Sequence, residues 1–166
     1  NPAIGCRLPP KKAKEMQVLT QDEIRRFLVQ ANEEGYYEFF LLELTTGMRR
    51  GEILGLQWKD VNFATGELHI RRQGVKKGAQ TQITKPKTKS SIRTLILPPD
   101  MLDILAEHKK NATCEWVFPS PVKEGEPRNP DSLYGRFQKI LKRAQCKKVR
   151  FHDLRHTFAT MELENG

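Results

Sequence analysis

Residues 36–47, YYEFFLLELTTG, are apolar almost all the way round a helical wheel before a glycine ends the run. A surface helix shows one apolar stripe; a helix that is apolar on every side has to be buried. The stretch is far short of the roughly 20 apolar residues needed to cross a bilayer, and no other run in the chain approaches that length. It therefore predicts the central helix of a globular core, with other elements packed beside it and Gly47 as its stop.

The flanking sequence supplies those elements. Thr20 and Glu23 form a capping box, and Ile24, Phe27, Leu28 and Ala31 share a face before Gly35 ends the helix. MRRGEILGLQWKDV offers Ile53, Leu54, Leu56 and Trp58, a short helix packed beside the central one. PPDMLDILAEHKKN has proline at its start and lysines near its end, in keeping with the helix dipole. Asn129 caps a helix whose first position is Pro130, with Leu133, Phe137, Ile140, Leu141 and Ala144 as its buried stripe. A last helix is predicted from near Asp153, turning Leu154, Phe158, Met161 and Leu163 inward. From Val61 the pattern changes: GELHIRR alternates, a glycine- and lysine-rich loop follows, and QITKPKTKSSIRTLIL reads as two strands around a polar turn. The expectation is a mainly helical α+β fold with one small three-stranded antiparallel sheet carrying long basic loops.

At 166 residues the chain is long enough for one ordinary core without disulfides or metal. Residues 1–16, NPAIGCRLPPKKAKEM, hold three prolines and three lysines without periodicity and read as a linker, leaving 17–166 as the domain. The formal net charge of +9 favours a polyanionic partner. Cys6, Cys114 and Cys146 are odd in number and widely spaced, which suits packed free thiols in a reducing compartment.

FHDLRHTFAT, residues 151–160, crowds two histidines, an arginine and an aspartate into one turn. It admits three readings. Asp153 and His152 can be an ordinary charged helix start. His152 and His156, four apart, imitate a zinc helix, but zinc needs a third ligand and Cys146 is the nearest soft one. Or the helix start, the planar fork of Arg155 and a titratable His152 can hold a phosphate. The phosphate reading needs a second cation, and Arg49 in TGMRRGEILGL, just past a helix-ending glycine, can provide it, with Glu52 one turn on to brace it.

Together TGMRRGEILGLQWKDV, ITKPKTKSSIRTLILP and HDLRHTFATMELENG resemble the tyrosine recombinase, or phage integrase, family in content and order. The resemblance covers nearly the whole chain. It implies the catalytic domain of that family, preceded at 1–16 by the linker from a core-binding domain and lacking the C-terminal end that carries the nucleophile. By position, Arg49 and Arg155 match the two catalytic arginines, His152 the histidine of H-x-x-R, and Lys87 the active-site lysine, with Glu52 and Asp153 in support. The implied chemistry is site-specific DNA strand cleavage through a 3′-phosphotyrosine, then rejoining, with no cofactor or metal. Tyr36, Tyr37 and Tyr134 all precede H-x-x-R and read as core or interface aromatics.

Arg71, Arg72, Lys76, Lys77, Lys85, Lys89 and Arg93 concentrate in the sheet region, and Lys147 and Arg150 lead into HDLRH. These are expected to contact the DNA backbone. The resemblance further implies a double-stranded DNA partner, a tetramer of protomers on DNA for the full protein, a monomer for this stretch alone, and a DNA-associated protein of the bacterial cytoplasm with no membrane contact. The rival reading is a DNA-binding module without catalysis on the same scaffold.

Overall fold

A computed structural model describes residues 17–86 and 92–157. The apolar run forms α2 (Tyr37–Thr46), stopped by Gly47 in the left-handed conformation (φ +58°), whose amide donates to the Glu43 carbonyl at 2.8 Å. Around it lie α1 (Gln21–Glu33), α3 (Arg50–Leu54), α4 (Pro99–Lys110), α5 (Pro130–Arg143) and α6, described over 151–157. Phe40 of α2 shows why α2 had to be apolar all round. Its ring lies 4.9 Å from Phe27 of α1, 5.7 Å from Phe137 of α5 and 6.0 Å from Phe151 of α6. Neighbouring Phe39 meets Phe118 at 5.1 Å. The aromatic cluster thus ties α6 to the centre of the domain through its first residue.

The capping box at Thr20 and Glu23 is present, as is the Asn129 cap, whose side chain accepts from the amides of Asp131 and Ser132. α6 begins at residue 151 rather than near Asp153, because Arg150 occupies the cap position and Asp153 the third helical position, accepting the Arg150 amide at 2.8 Å. Leu154 is fully buried as expected, while Phe158, Met161 and Leu163 lie outside the described residues.

The three-stranded antiparallel sheet is present, in the order β1 (Val61–Asn62), β2 (Glu67–Ile70), β5 (Arg93–Ile96), with Leu68 opposite Leu95. Its membership differs from the sequence reading. The glycine- and lysine-rich segment is not a loop but a strand, β3 (Gln73–Lys77), paired with β4 (Gln80–Thr84) in a separate hairpin turned by Gly78 at φ +61°. β4 and β5 therefore flank the polar turn without pairing with each other. β3 shows only Val75 as an apolar residue, so alternation could not reveal it. Close backbone approach holds it instead: a Cβ on Gly51 of α3 would come within 2.9 Å of the Gly74 carbonyl. No helix among the described residues is long and apolar enough to cross a membrane.

Candidate phosphate-binding site

Two arginine-led helix starts, built alike, face one cleft. At the first, Gly47 turns the chain out of α2, Met48 is buried, and Arg49 caps α3 in an extended conformation. Glu52, at the third position and 2% exposed, accepts the Arg49 amide at 2.9 Å and Arg49 Nη1 at 3.1 Å. It also accepts both terminal nitrogens of Arg93 from β5, at 2.9 and 3.0 Å. Burial alone would push the Glu52 carboxyl up; the Arg93 and Arg49 donors outweigh it and hold the group below its ordinary value, so it stays ionised.

At the second start, Asp153 is 3% exposed and pairs with Arg150, accepting its amide and, at 2.8 Å, its Nη2. Burial works to raise the Asp153 carboxyl, and the Arg150 hydrogen bonds more than offset it. This fixes the first turn of α6 and so the directions of His152 and Arg155. Arg155 is half-buried, and its Nη1 has no hydrogen-bond partner among the described residues. Its pKa is lowered first by burial and then by the charge of Arg49. His152 is pushed below its ordinary 6.5 by the desolvation it incurs and by His156 and Arg155, against a smaller upward pull from Asp153. The His152 and His156 rings stand perpendicular, 5.0 Å apart.

Arg49, His152 and Arg155 line a single cleft of about 560 Å³, together with Arg50, Lys76 and Arg150. An imidazole whose pKa lies below its ordinary value thus sits beside guanidinium groups, one of which has a buried N–H without a partner among the described residues. That arrangement suits a tetrahedral oxyanion, whose oxygens accept from guanidinium forks and whose proton an imidazole can take or give. Lys87 and Lys89 lie outside the described residues. The other expected DNA contacts divide. Arg71, Lys77 and Lys85 are exposed. Arg72 is bound to the buried Asp60, Lys76 to Asp131, Lys147 to Glu23, and Arg93 to Glu52. Cys146 turns away to donate to the Glu23 carbonyl at 3.3 Å, and no group of three metal-ligating side chains occurs among the described residues.

Sequence reasoning did not single out two cleft residues. Arg50 stacks on Phe151 at 5.4 Å and donates to the Pro130 carbonyl. Glu43, on α2, is 1% exposed and borders the same cleft. Its signal was available: an acid between leucines at 42 and 44, inside a run that is apolar almost all round, is placed to be buried.

The sequence model of the phage integrase family matches residues 17–166. A tyrosine recombinase XerC-like protein of Caldanaerobacter subterraneus subsp. tengcongensis is 30% identical over 197 residues, which cover 100% of this chain and 50% of that protein. The ICEBs1 integrase of Bacillus subtilis is 25% identical over 178 residues, covering 100% of the chain and 48% of that protein. The chain thus spans about half the length of these relatives. Among solved structures, the Tn1549 transposon integrase in complex with circular intermediate DNA superposes with a TM-score of 0.79 at 22% identity, over 94% of this chain and 57% of that one. The mainly helical fold with its small antiparallel sheet is the fold of that structure.

Proposed function

The chain belongs to the phage integrase family, and from that premise we propose that it is the phosphate-activating part of a site-specific recombinase that cuts and rejoins double-stranded DNA. The observation that carries this reading is the convergence of Arg49, His152 and Arg155 on one cleft.

In this reading the scissile phosphate enters the cleft with its non-bridging oxygens on Arg49 and Arg155. Preorganised cations there oppose the charge that builds on the equatorial oxygens as the phosphorus is attacked, and they hold it in line with the nucleophile. His152, whose pKa is lowered by partial desolvation and its cationic neighbours, accepts or returns a proton on the nucleophile side. Lys87, between β4 and β5 in sequence, protonates the departing 5′ oxygen, since an alkoxide leaves poorly. The attacking tyrosine forms a 3′-phosphotyrosine, and a strand's 5′-hydroxyl later reverses the step. One ester replaces another, so no external energy source is needed.

None of Tyr36, Tyr37 and Tyr134 is assigned as nucleophile; the Tyr36 ring is covered by the Arg128 guanidinium at 4.7 Å. The nucleophile comes from outside residues 1–166, and this stretch alone binds DNA without cutting it. The whole protein acts as a tetramer on DNA in the cytoplasm. Arg71, Lys77 and Lys85 supply backbone contacts, each steepening the log–log salt dependence of binding by about 0.9.

The test is Arg155→Ala in the full-length protein, with cleavage and binding measured on the same DNA. Cleavage falls on the order of 10²–10³-fold or more while DNA affinity changes little, because a single phosphate contact among many is lost. Unchanged cleavage would remove Arg155 from the chemistry and leave the binding-module reading.

A further inference from the structure

We infer that Arg93, which the sequence places among DNA contacts, is instead a positioning residue that sets the reach of Arg49 through the buried carboxylate of Glu52. The inference rests on the reading of Arg49 as a phosphate ligand.

Glu52 is 2% exposed and receives four N–H groups: the amide and Nη1 of Arg49 and both terminal nitrogens of Arg93. The Arg93 side chain is 27% exposed, that of Arg49 52%. Of the two, Arg93 is therefore the partner committed to the carboxylate, through a two-pronged contact. Arg49 spends one guanidinium nitrogen there and keeps the rest of its fork toward the cleft. The division of labour follows from charge balance. A buried carboxylate needs a full compensating cation. With Arg93 in place that need is met from β5, and Arg49 is held at its root without being captured. Without Arg93 the carboxylate has only Arg49, which then folds onto Glu52 with both prongs and withdraws from the cleft, or Glu52 takes a proton and lets Arg49 swing free. In either case phosphate loses a ligand that Arg93 never touches. Arg93 also begins the strand that follows the segment holding Lys87, so the same contact anchors that strand to the Arg49 helix start.

The test uses the 166-residue chain with inorganic phosphate as the probe, its Kd followed by NMR titration across pH 5–8. Arg49→Ala weakens phosphate binding by about tenfold or more, as expected for loss of a charge-assisted contact. Arg93→Ala weakens it comparably, and the double variant is no weaker than Arg49→Ala alone, because both changes act through one guanidinium. Fold losses that multiply in the double variant would show Arg93 touching phosphate itself and overturn the inference, as would parent-like affinity in Arg93→Ala. If Arg49→Ala leaves phosphate binding unchanged, the site reading fails first and the inference falls with it. Should Arg93→Ala not fold, Arg93→Lys decides. A single ammonium holds Glu52 less well, so affinity drops off at a higher pH on acidification than in the parent. A merely structural role for Arg93 would leave that pH profile where it was.

Discussion

Replacing Glu43 by glutamine tests how the floor of the cleft keeps its charge. The carboxyl lies on α2 at 1% exposure, and its Oε2 has no hydrogen-bond partner among the described residues. Burial pushes the group well above its ordinary value near 4.5, and the charge of Arg50 pulls down without overcoming it. The folded state therefore holds a proton that the unfolded chain releases. Below pH 4.5 both states are protonated and the carboxyl carries no ionisation penalty. As pH rises above that value only the unfolded chain ionises, and folding stability falls by about 1.4 kcal/mol per pH unit until the folded group itself titrates. Glutamine keeps the shape and has no such slope. Between pH 5.5 and 7.5 the stability difference between Glu43→Gln and the parent should shift in favour of the variant by up to about 3 kcal/mol, two units of that slope. Urea unfolding followed by tryptophan fluorescence at several pH values measures it, and the contributions of other titrating groups, His152 included, cancel in the difference. A difference that stays flat with pH, or a parent that gains on the variant toward pH 7.5, would show Glu43 ionised and paired with Arg50, and the reasoning would be refuted.

Two further outcomes follow from the same geometry. Gly51→Ala places a Cβ at 2.9 Å from the Gly74 carbonyl, a backbone atom that cannot swing aside, so it should cost about 1–3 kcal/mol in urea unfolding and loosen the β3–β4 hairpin from α3; unchanged stability would mean the two elements are not in contact. His152 should titrate below 6.5 in ring NMR spectra, should move upward in Arg155→Gln as a positive neighbour is lost, and should move upward in the parent when phosphate is added; a His152 that ignores Arg155 would separate the two side chains.

What could be read from sequence divides by the range of the interaction responsible. Helix caps are local: Thr20 with Glu23, Asn129 with the two amides after it, and Gly47 after an apolar run each declare themselves within four residues. The arginine at position 49 and the His152–Arg155 pair were legible for the same reason, since their directions are set by the first turn of a helix. Strand partners were not. β3 carries glycine and lysines where alternation would show a strand, and its place depends on Gly51 and Gly74 letting two backbones approach. Nor could composition tell Arg93 from Arg71. Both are arginines of the sheet region, but one meets a buried carboxylate that is forty-one residues away in sequence and the other faces solvent.

The acids near the cleft explain why so basic a site folds at all. Around Arg49, Arg150 and Arg155 like charges repel, and in a half-buried cleft that repulsion is poorly screened. Glu52 and Asp153 relieve it from beneath, each bound to arginine at a helix start and each almost fully buried, so they neutralise the arginine roots without offering a competing anion to the cleft. Glu43 does the complementary thing, because burial pushes its carboxyl well above the ordinary range and so favours the neutral form, which fills space at the floor without cancelling the positive charge above it. What is left uncompensated is concentrated on Arg155, whose Nη1 is buried without a partner among the described residues and whose pKa is lowered by that burial and by Arg49. An incoming phosphate oxygen answers both deficits together, supplying the missing acceptor and the missing negative charge. The cleft is therefore most stable when an oxyanion occupies it, which is the energetic condition for holding a phosphate group still.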